Sequence, residues 1–379
     1  MLDDLPTPSL ILDLDRLERN CDRMIRRAAE LGVRLRPHMK TAKSADVGRL
    51  ATRERAVGVT VSTLAEAEYF AQAGFRDITY AVGIVGHKVG AVAALQRGTG
   101  TRISLLADTV DAVHEAARQA EAAGERLALF IEIDSGGGRG GVSAEGPELP
   151  ALGEAVNASR SLSLAGVLTH AGQSYGASSI EDVIRIAEEE RLAVTRAADR
   201  LRALDIEVPA VSVGSTPTAL HARSLSGVTD MRPGVYTLFD LAQVALGSCT
   251  VDDIAVSVLA TVIGHNARAG RMLIDAGALA LSKDVSGNKG GRTVGYGLVC
   301  PASGGRPLEG VIVADVHQEH GLVACNGADG ALDSRYPVGT RVRVLPNHAC
   351  LMAAPYDRYR LVRGSDTRVH GEWSKVSGW

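Results

Sequence analysis

The fold is decided by two runs, Thr101-Arg-Ile-Ser-Leu-Leu106 and Leu127-Ala-Leu-Phe-Ile-Glu-Ile133. Each is a short apolar run suited to a buried strand, and the Ala-, Glu- and Arg-rich stretch between them has helical periodicity. Strand, helix and strand in that order make a βα unit, and repeated units make a parallel sheet. Outward from this pair the same alternation occupies residues 30 to 235, with further strand candidates at residues 33–37, 56–61, 77–82, 162–169, 208–213 and 227–231. Eight units in so short a stretch predict a TIM-type (β/α)8 barrel rather than an open sheet. Thr63 with Glu66 three positions on is a capping signature, and residues 180–204 are rich in Glu, Arg, Ala and Leu. Beyond about residue 250 the helical signals give way to Val/Ile-rich segments at 256–263, 271–274 and 341–345, set between Gly, Asn and Asp. These predict a second, all-β domain, which residues 7–13 join from the other end of the chain. The expected boundaries are 14–245 for the barrel, and 1–13 with 246–379 for the β domain.

Composition narrows the function. The 379 residues, 45% hydrophobic and 22% charged, suffice for more than one core, which excludes a disulfide scaffold and a disordered chain. Forty-one Lys plus Arg against 44 Asp plus Glu, with no basic block, remove the electrostatic case for nucleic acid or an anionic membrane as partner. Five scattered Cys without CxxC spacing, and a start at Met1-Leu2-Asp3-Asp4 with no basic or apolar leader, read as a reduced, cytoplasmic protein. No apolar run approaches the length of a membrane span.

Barrels place their reactive groups at the C-terminal ends of the strands. Arg36-Pro37-His38-Met39-Lys40-Thr41 ends the first strand. A Lys recessed in a barrel mouth loses charge by desolvation and becomes the nucleophile for a Schiff base; a solvated strand-end Lys is the bland alternative. Gly214-Ser215-Thr216 closes the seventh strand and Gly234-Val235-Tyr236 follows the eighth. Small residues with free N–H groups and hydroxyls at those two ends suit a phosphate. An amine at strand one facing such a cradle is what pyridoxal 5'-phosphate requires, with its aldehyde at one end and its phosphate at the other. Between these anchors, Arg139 follows a flexible Gly-rich run, where its fork reaches for the cofactor's phenolic oxygen, and His170 is placed to lie on the pyridine ring. Taken singly they are equally a surface Arg and a structural His.

In the β domain, Pro346-Asn347-His348-Ala349-Cys350 sets His and Cys two apart, on one face if the segment is extended. Imidazole and thiolate suit zinc and leave coordination positions for water and substrate. A buried free Cys beside a packed His is the other reading of these residues alone. His317-Gln318-Glu319-His320-Gly321 reads as a turn rather than a ligand cluster.

With these residues in view, the chain resembles the D-serine dehydratase-like, D-threo-3-hydroxyaspartate dehydratase family of fold-type III pyridoxal phosphate enzymes, relatives of alanine racemase and D-threonine aldolase. The resemblance rests on Thr7-Pro8-Ser9, His38-Met39-Lys40-Thr41, Thr60-Val61-Ser62-Thr63, Glu132-Ile133-Asp134, Thr169-His170-Ala171-Gly172, the 213–218 loop, Asp275-Ala276-Gly277, Gln318-Glu319-His320-Gly321 and Pro346-Asn347-His348-Ala349-Cys350. It implies that Lys40 carries the cofactor, that Arg139 and Tyr175 contact it, that His170 stacks on its ring, and that His348 and Cys350 bind a divalent metal. Zinc is the expected ion, with Mg2+ or Mn2+ as alternatives. His-x-Cys, where aldolase-like members carry His-x-Asp, points to the dehydratase branch. The implied reaction is β-elimination from a 3-hydroxy D-amino acid, such as D-threo-3-hydroxyaspartate or D-serine, to a 2-oxo acid and ammonia. Retro-aldol cleavage to glycine and an aldehyde is the alternative. Racemization needs a second acid/base that no run identifies, and a non-catalytic carrier would need no metal site. The resemblance also implies a homodimer.

Overall fold

The computed structural model describes residues 1–53, 56–325 and 332–379. Eight parallel strands form one sheet, in the order Arg34–Leu35, Asp230–Met231, Ala210–Val213, Leu162–Leu168, Leu127–Glu132, Arg102–Ala107, Asp77–Gly83 and Val59–Val61. Parallel bridges Leu35–Ala56 and His38–Thr60 join the first strand to the second and close the barrel. All eight strands read from sequence are present. Leu106, Ala128, Phe130, Ala165 and Leu168 are buried together as one core cluster, the packed interior that a barrel of this size requires.

Local sequence explains the surrounding helices. The Thr63 hydroxyl accepts the Glu66 N–H at 3.0 Å, and the Glu66 carboxylate reaches back to the Ser62 N–H at 2.7 Å, so the capping signature works one residue out of its usual frame. Helix Ile180–Arg202 is capped by Ser179, carries Glu181 and Asp182 in its first turn and Arg200 and Arg202 in its last. This distribution complements the helix dipole. Its inner stripe is Val183, Ile186, Ala187, Val194, Ala197, Ala198 and Leu201, with one intruder, Glu190.

The second sheet has nine strands among the described residues. Six of them close on themselves in the order Arg271–Ile274, Gly321–Cys325, Val311–Val316, Leu298–Pro301, Arg341–Leu345 and Val256–Asn266, and the last also pairs with the first. Ser9–Asp13 extends the sheet from Val256–Asn266, followed by Arg358–Val362 and Glu372–Ser374. The N-terminal segment thus joins the β domain as its sequence predicts. The chain divides into a β unit, made of residues 1–22, 41–47 and 235–377, and a barrel unit, made of 23–40, 48–234 and 378–379. Among the described residues no helix is long and apolar enough to cross a membrane.

Candidate active site

In the barrel unit a cleft of about 420 Å³ is lined by His38, Lys40, Asp108, Glu132, Arg139, His170, Gly214 and Arg232, among others. Four of the residues singled out from sequence, Lys40, Arg139, His170 and Gly214, therefore meet there. The segment that delivers Lys40 is held on both sides: His38 N–H donates to the Pro233 carbonyl at 2.9 Å and Met39 N–H to the Thr60 carbonyl at 2.8 Å. Gly234 permits the first of these contacts, because a Cβ at that position would lie 2.6 Å from the His38 carbonyl oxygen. Burial, reinforced by the nearby Lys40, His170, Arg232 and Arg139, drives the His38 imidazole well below its usual range, so it stays neutral.

His170 is positioned by an arrangement not visible in the sequence. Its Nδ1 donates to the Gly214 carbonyl, which can only accept, and this leaves Nε2 as the lone-pair nitrogen of the neutral ring. Burial and then Lys40 lower its pKa to about 3. Glu190, from the inner stripe of helix Ile180–Arg202, accepts the Ala171 N–H and the Gly214 N–H on one oxygen, each at 3.0 Å. One buried carboxylate therefore ties the loop after the sixth strand to the loop after the seventh. This corrects the expected phosphate cradle in one respect: the Gly214 N–H is not free, since Glu190 occupies it. The remaining cradle residues are hydroxyls. Ser215 Oγ accepts the Thr218 N–H at 3.2 Å as cap of helix Thr216–His221 and lies 2.9 Å from the Ser174 hydroxyl. Tyr175, on the turn Gly172–Gly176, has its ring centroid 6.3 Å from that of His170 and tilted by 44°.

Arg232 was also missed as a site residue. Its guanidinium is buried, with Nη1 on Ser212 Oγ at 2.6 Å and on the Val213 carbonyl at 3.2 Å, and Nη2 on the Thr169 carbonyl at 2.5 Å. It places a fixed cation in the cleft wall. The Gly-rich run before Arg139 is not the loose segment expected. Asp134 Oδ1 accepts the N–H groups of Gly136, Gly137 and Gly138 at 2.9, 2.9 and 3.2 Å, which orders the turn. Arg139 itself is largely exposed, 3.4 Å from Glu132 Oε1. Tyr236 is fully buried within the β unit and does not line the cleft, and burial pushes its phenol well above the usual range.

The candidate metal pair lies in the β unit. The extended segment expected for His348 and Cys350 is not there, because strand Arg341–Leu345 stops before Pro346 and a helix, Ala349–Ala353, begins at once with His348 as its cap. Asp240 starts that helix by accepting the Ala349 N–H at 2.9 Å. Strand alternation therefore does not set the relation of the two side chains. His348 Nδ1 is 3.2 Å from Asp284 Oδ2, and Cys350 Sγ is 3.1 Å from Thr41 Oγ1. Burial alone would lower the His348 imidazole, but hydrogen bonds to Asp284 and Cys350 outweigh it and raise the pKa to about 10. The same contact, as its largest cause, holds Asp284 well below the usual carboxylate range.

With Nδ1 held by a carboxylate, Nε2 is the nitrogen left to bind a metal once the ion displaces its proton, and a carboxylate on the other ring nitrogen is the outer-shell arrangement typical of metal-binding imidazoles. The donor chemistry therefore fits a divalent, borderline-soft ion. Among the described residues no group of three or more His, Cys, Asp and Glu is placed to hold a metal. His317 and His320 form the turn between Val311–Val316 and Gly321–Cys325, with His317 N–H on the His320 carbonyl at 2.8 Å.

Comparison with known proteins agrees with this geometry. Residues 12–241 match the model of the alanine racemase N-terminal domain, and residues 255–362 that of the serine dehydratase domain. D-threo-3-hydroxyaspartate dehydratase from Delftia sp. (strain HT23) is 44% identical over 99% of this chain and 98% of its own. Its structure superposes with a TM-score of 0.95, covering 100% of this chain and 99% of that one, at 43% identity. A cysteine-to-alanine mutant of the enzyme has been solved in a metal-free form, at 43% identity, a TM-score of 0.94 and coverage of 100% and 99%. D-Serine dehydratase from Dictyostelium discoideum is 30% identical over 100% of this chain and 98% of its own. D-Threonine aldolase from Filomicrobium marinum is more distant, 28% identical with a TM-score of 0.85 over 98% and 96% of the two chains. With both halves matched in order and the relatives aligned end to end, the chain belongs to the dehydratase family of pyridoxal phosphate-dependent, alanine racemase-like enzymes.

Proposed function

We propose that this enzyme catalyses metal-assisted β-elimination from a 3-hydroxy D-amino acid, giving a 2-oxo acid and ammonia, with D-threo-3-hydroxyaspartate and D-serine as the substrates to test first. The observation that carries the reading is the His348–Cys350 pair with Asp284 on the imidazole Nδ1. Similarity to a D-threo-3-hydroxyaspartate dehydratase along the whole chain supports it. Pyridoxal phosphate attached through Lys40 Nζ supplies an electron sink that makes the substrate Cα–H acidic, and a divalent metal on His348 Nε2 and Cys350 Sγ, zinc by donor softness, supplies a Lewis acid for the β-hydroxyl.

The chain's own groups do the rest. Lys40 Nζ is the group that would take the Cα proton. His170, fixed by the Gly214 carbonyl and kept neutral by burial, would support the cofactor ring without competing for that proton. The hydroxyls of Ser215 and Thr216 would hold the phosphate, and Arg139 and Tyr175 would contact the cofactor. Thr41, the residue after Lys40, supports Cys350 through its hydroxyl. We assign the enzyme to the cytoplasm, where its five free cysteines stay reduced.

The deciding experiment analyses products from D-serine, D-threonine and the 3-hydroxyaspartate stereoisomers, with and without prior chelation. Ammonia and an oxo acid that vanish on chelation and return with zinc are expected. Glycine and an aldehyde from D-threonine, with no ammonia from any substrate, would replace this reading by the aldolase one.

A further inference from the structure

Within the β unit, away from the residues assigned above, a small cavity is lined by Asp13, Arg16, Ser257, Cys300, Gly304 and Arg343, with other residues. Arg343 is 4% exposed, and its Nε and Nη2 have no hydrogen-bond partner. A buried guanidinium with two open donors is costly unless something fills them. The neighbours cannot. Asp13 Oδ1 already serves the Asp15, Arg16 and Gly364 N–H groups at 3.0, 3.3 and 3.3 Å, and Asp13 Oδ2 pairs with Arg16 Nε at 3.3 Å. Arg16 Nη1 is spent on the Ile254 carbonyl at 2.8 Å. Cys300 lies directly across the ladder from Arg343, but burial pushes its thiol up to about 12, so it brings no negative charge. Two guanidinium groups against one carboxylate leave the cavity with an excess positive charge.

We propose that this cavity is a binding site for one small monovalent anion, of the halide class, held by Arg343. Its size suits that occupant: about 20 Å³ admits one water-sized body and nothing as large as a phosphate ester. Gly304 leaves the space, since a Cβ there would come within 2.9 Å of Arg343 Nη1, and its φ of +79° favours glycine. A water would satisfy the N–H groups but not the charge; an anion does both. The strand that carries Arg343 ends at Leu345, just ahead of the turn that leads into His348, so an anion on Arg343 would brace the strand from which the candidate metal ligands follow.

The test is a crystal of the holoenzyme soaked in bromide and measured at the bromine edge. An anomalous peak against the Arg343 guanidinium is expected. Density of a water with no anomalous signal, or occupancy only at molar bromide, would overturn the proposal. In solution, the melting temperature of the holoenzyme should rise with the logarithm of chloride concentration when ionic strength is held constant with a bulky organic anion. Arg343→Met should abolish that rise, and equal chloride dependence in the two proteins would count against the site. If Arg343→Met does not fold, the bromide measurement on the unaltered enzyme decides alone.

Discussion

At the scale of single residues, Lys40 and Glu190 make complementary predictions. Lys40→Ala should remove both the visible absorption of the bound cofactor and turnover, checked by spectrum and single-turnover assay; normal turnover by that variant would exclude Lys40 as the attachment point. Glu190 acts through other groups. Replacing it by Ala strands two buried N–H donors, at about 1–3 kcal/mol each, and frees the loop whose carbonyl orients His170. Glu190→Ala should therefore weaken cofactor affinity at least tenfold and shift the visible band, while Glu190→Gln, which keeps an oxygen for both N–H groups, should restore both. A purely structural role would lower the melting temperature alike in both variants and leave the band in place. Lys40 was legible because a strand end is a local feature. Glu190, Arg232 and Asp284 were not, because their partners are set by tertiary contact: Glu190 and Arg232 on backbone groups of other loops, Asp284 on an imidazole distant in sequence. The one available signal was a carboxylate in an otherwise apolar helical stripe.

At the scale of elements, the barrel was legible throughout because each buried parallel strand is a short apolar run whose type its own residues declare. The first and eighth are the shortest observed, two residues each and paired with one another. The segment after Leu345 was misread for the opposite reason. What turns it into a helix is the Asp240 carboxylate, supplied from far away in the sequence, so local alternation had no means of showing it. The loop between the sixth strand and helix Ile180–Arg202 carries a pH prediction. Burial holds His170 near 3 against an ordinary value of 6.5, so between those values the unfolded chain binds the proton that the folded one refuses. Stability from this group is complete above 6.5 and is lost as pH falls toward 3. Melting temperature measured between about pH 4.5 and 7 should fall on acidification, and His170→Asn, which keeps a donor for the Gly214 carbonyl, should flatten the slope. An unchanged slope would mean that other groups dominate.

At the scale of the whole molecule, the remaining question is whether one chain is enough. The helix that carries Cys350 packs against helix Ala278–Leu281, and the two present Leu351 and Leu279 outward, 50% and 58% exposed, with Val285 nearby in the chain at 48%. Large apolar side chains held on rigid elements beside a candidate metal pair are the kind of patch that a second subunit covers. A two-fold dimer is the commonest way to cover it. Light scattering of the holoenzyme should give twice 39.7 kDa. Leu351→Asp places a charge on that face without touching Lys40, His348 or Cys350, so it should shift the protein toward monomer at low concentration, and activity should fall in parallel with the dimer fraction. A concentration-independent monomer with full activity would show that a single chain carries the complete machinery and that these leucines have another occupant.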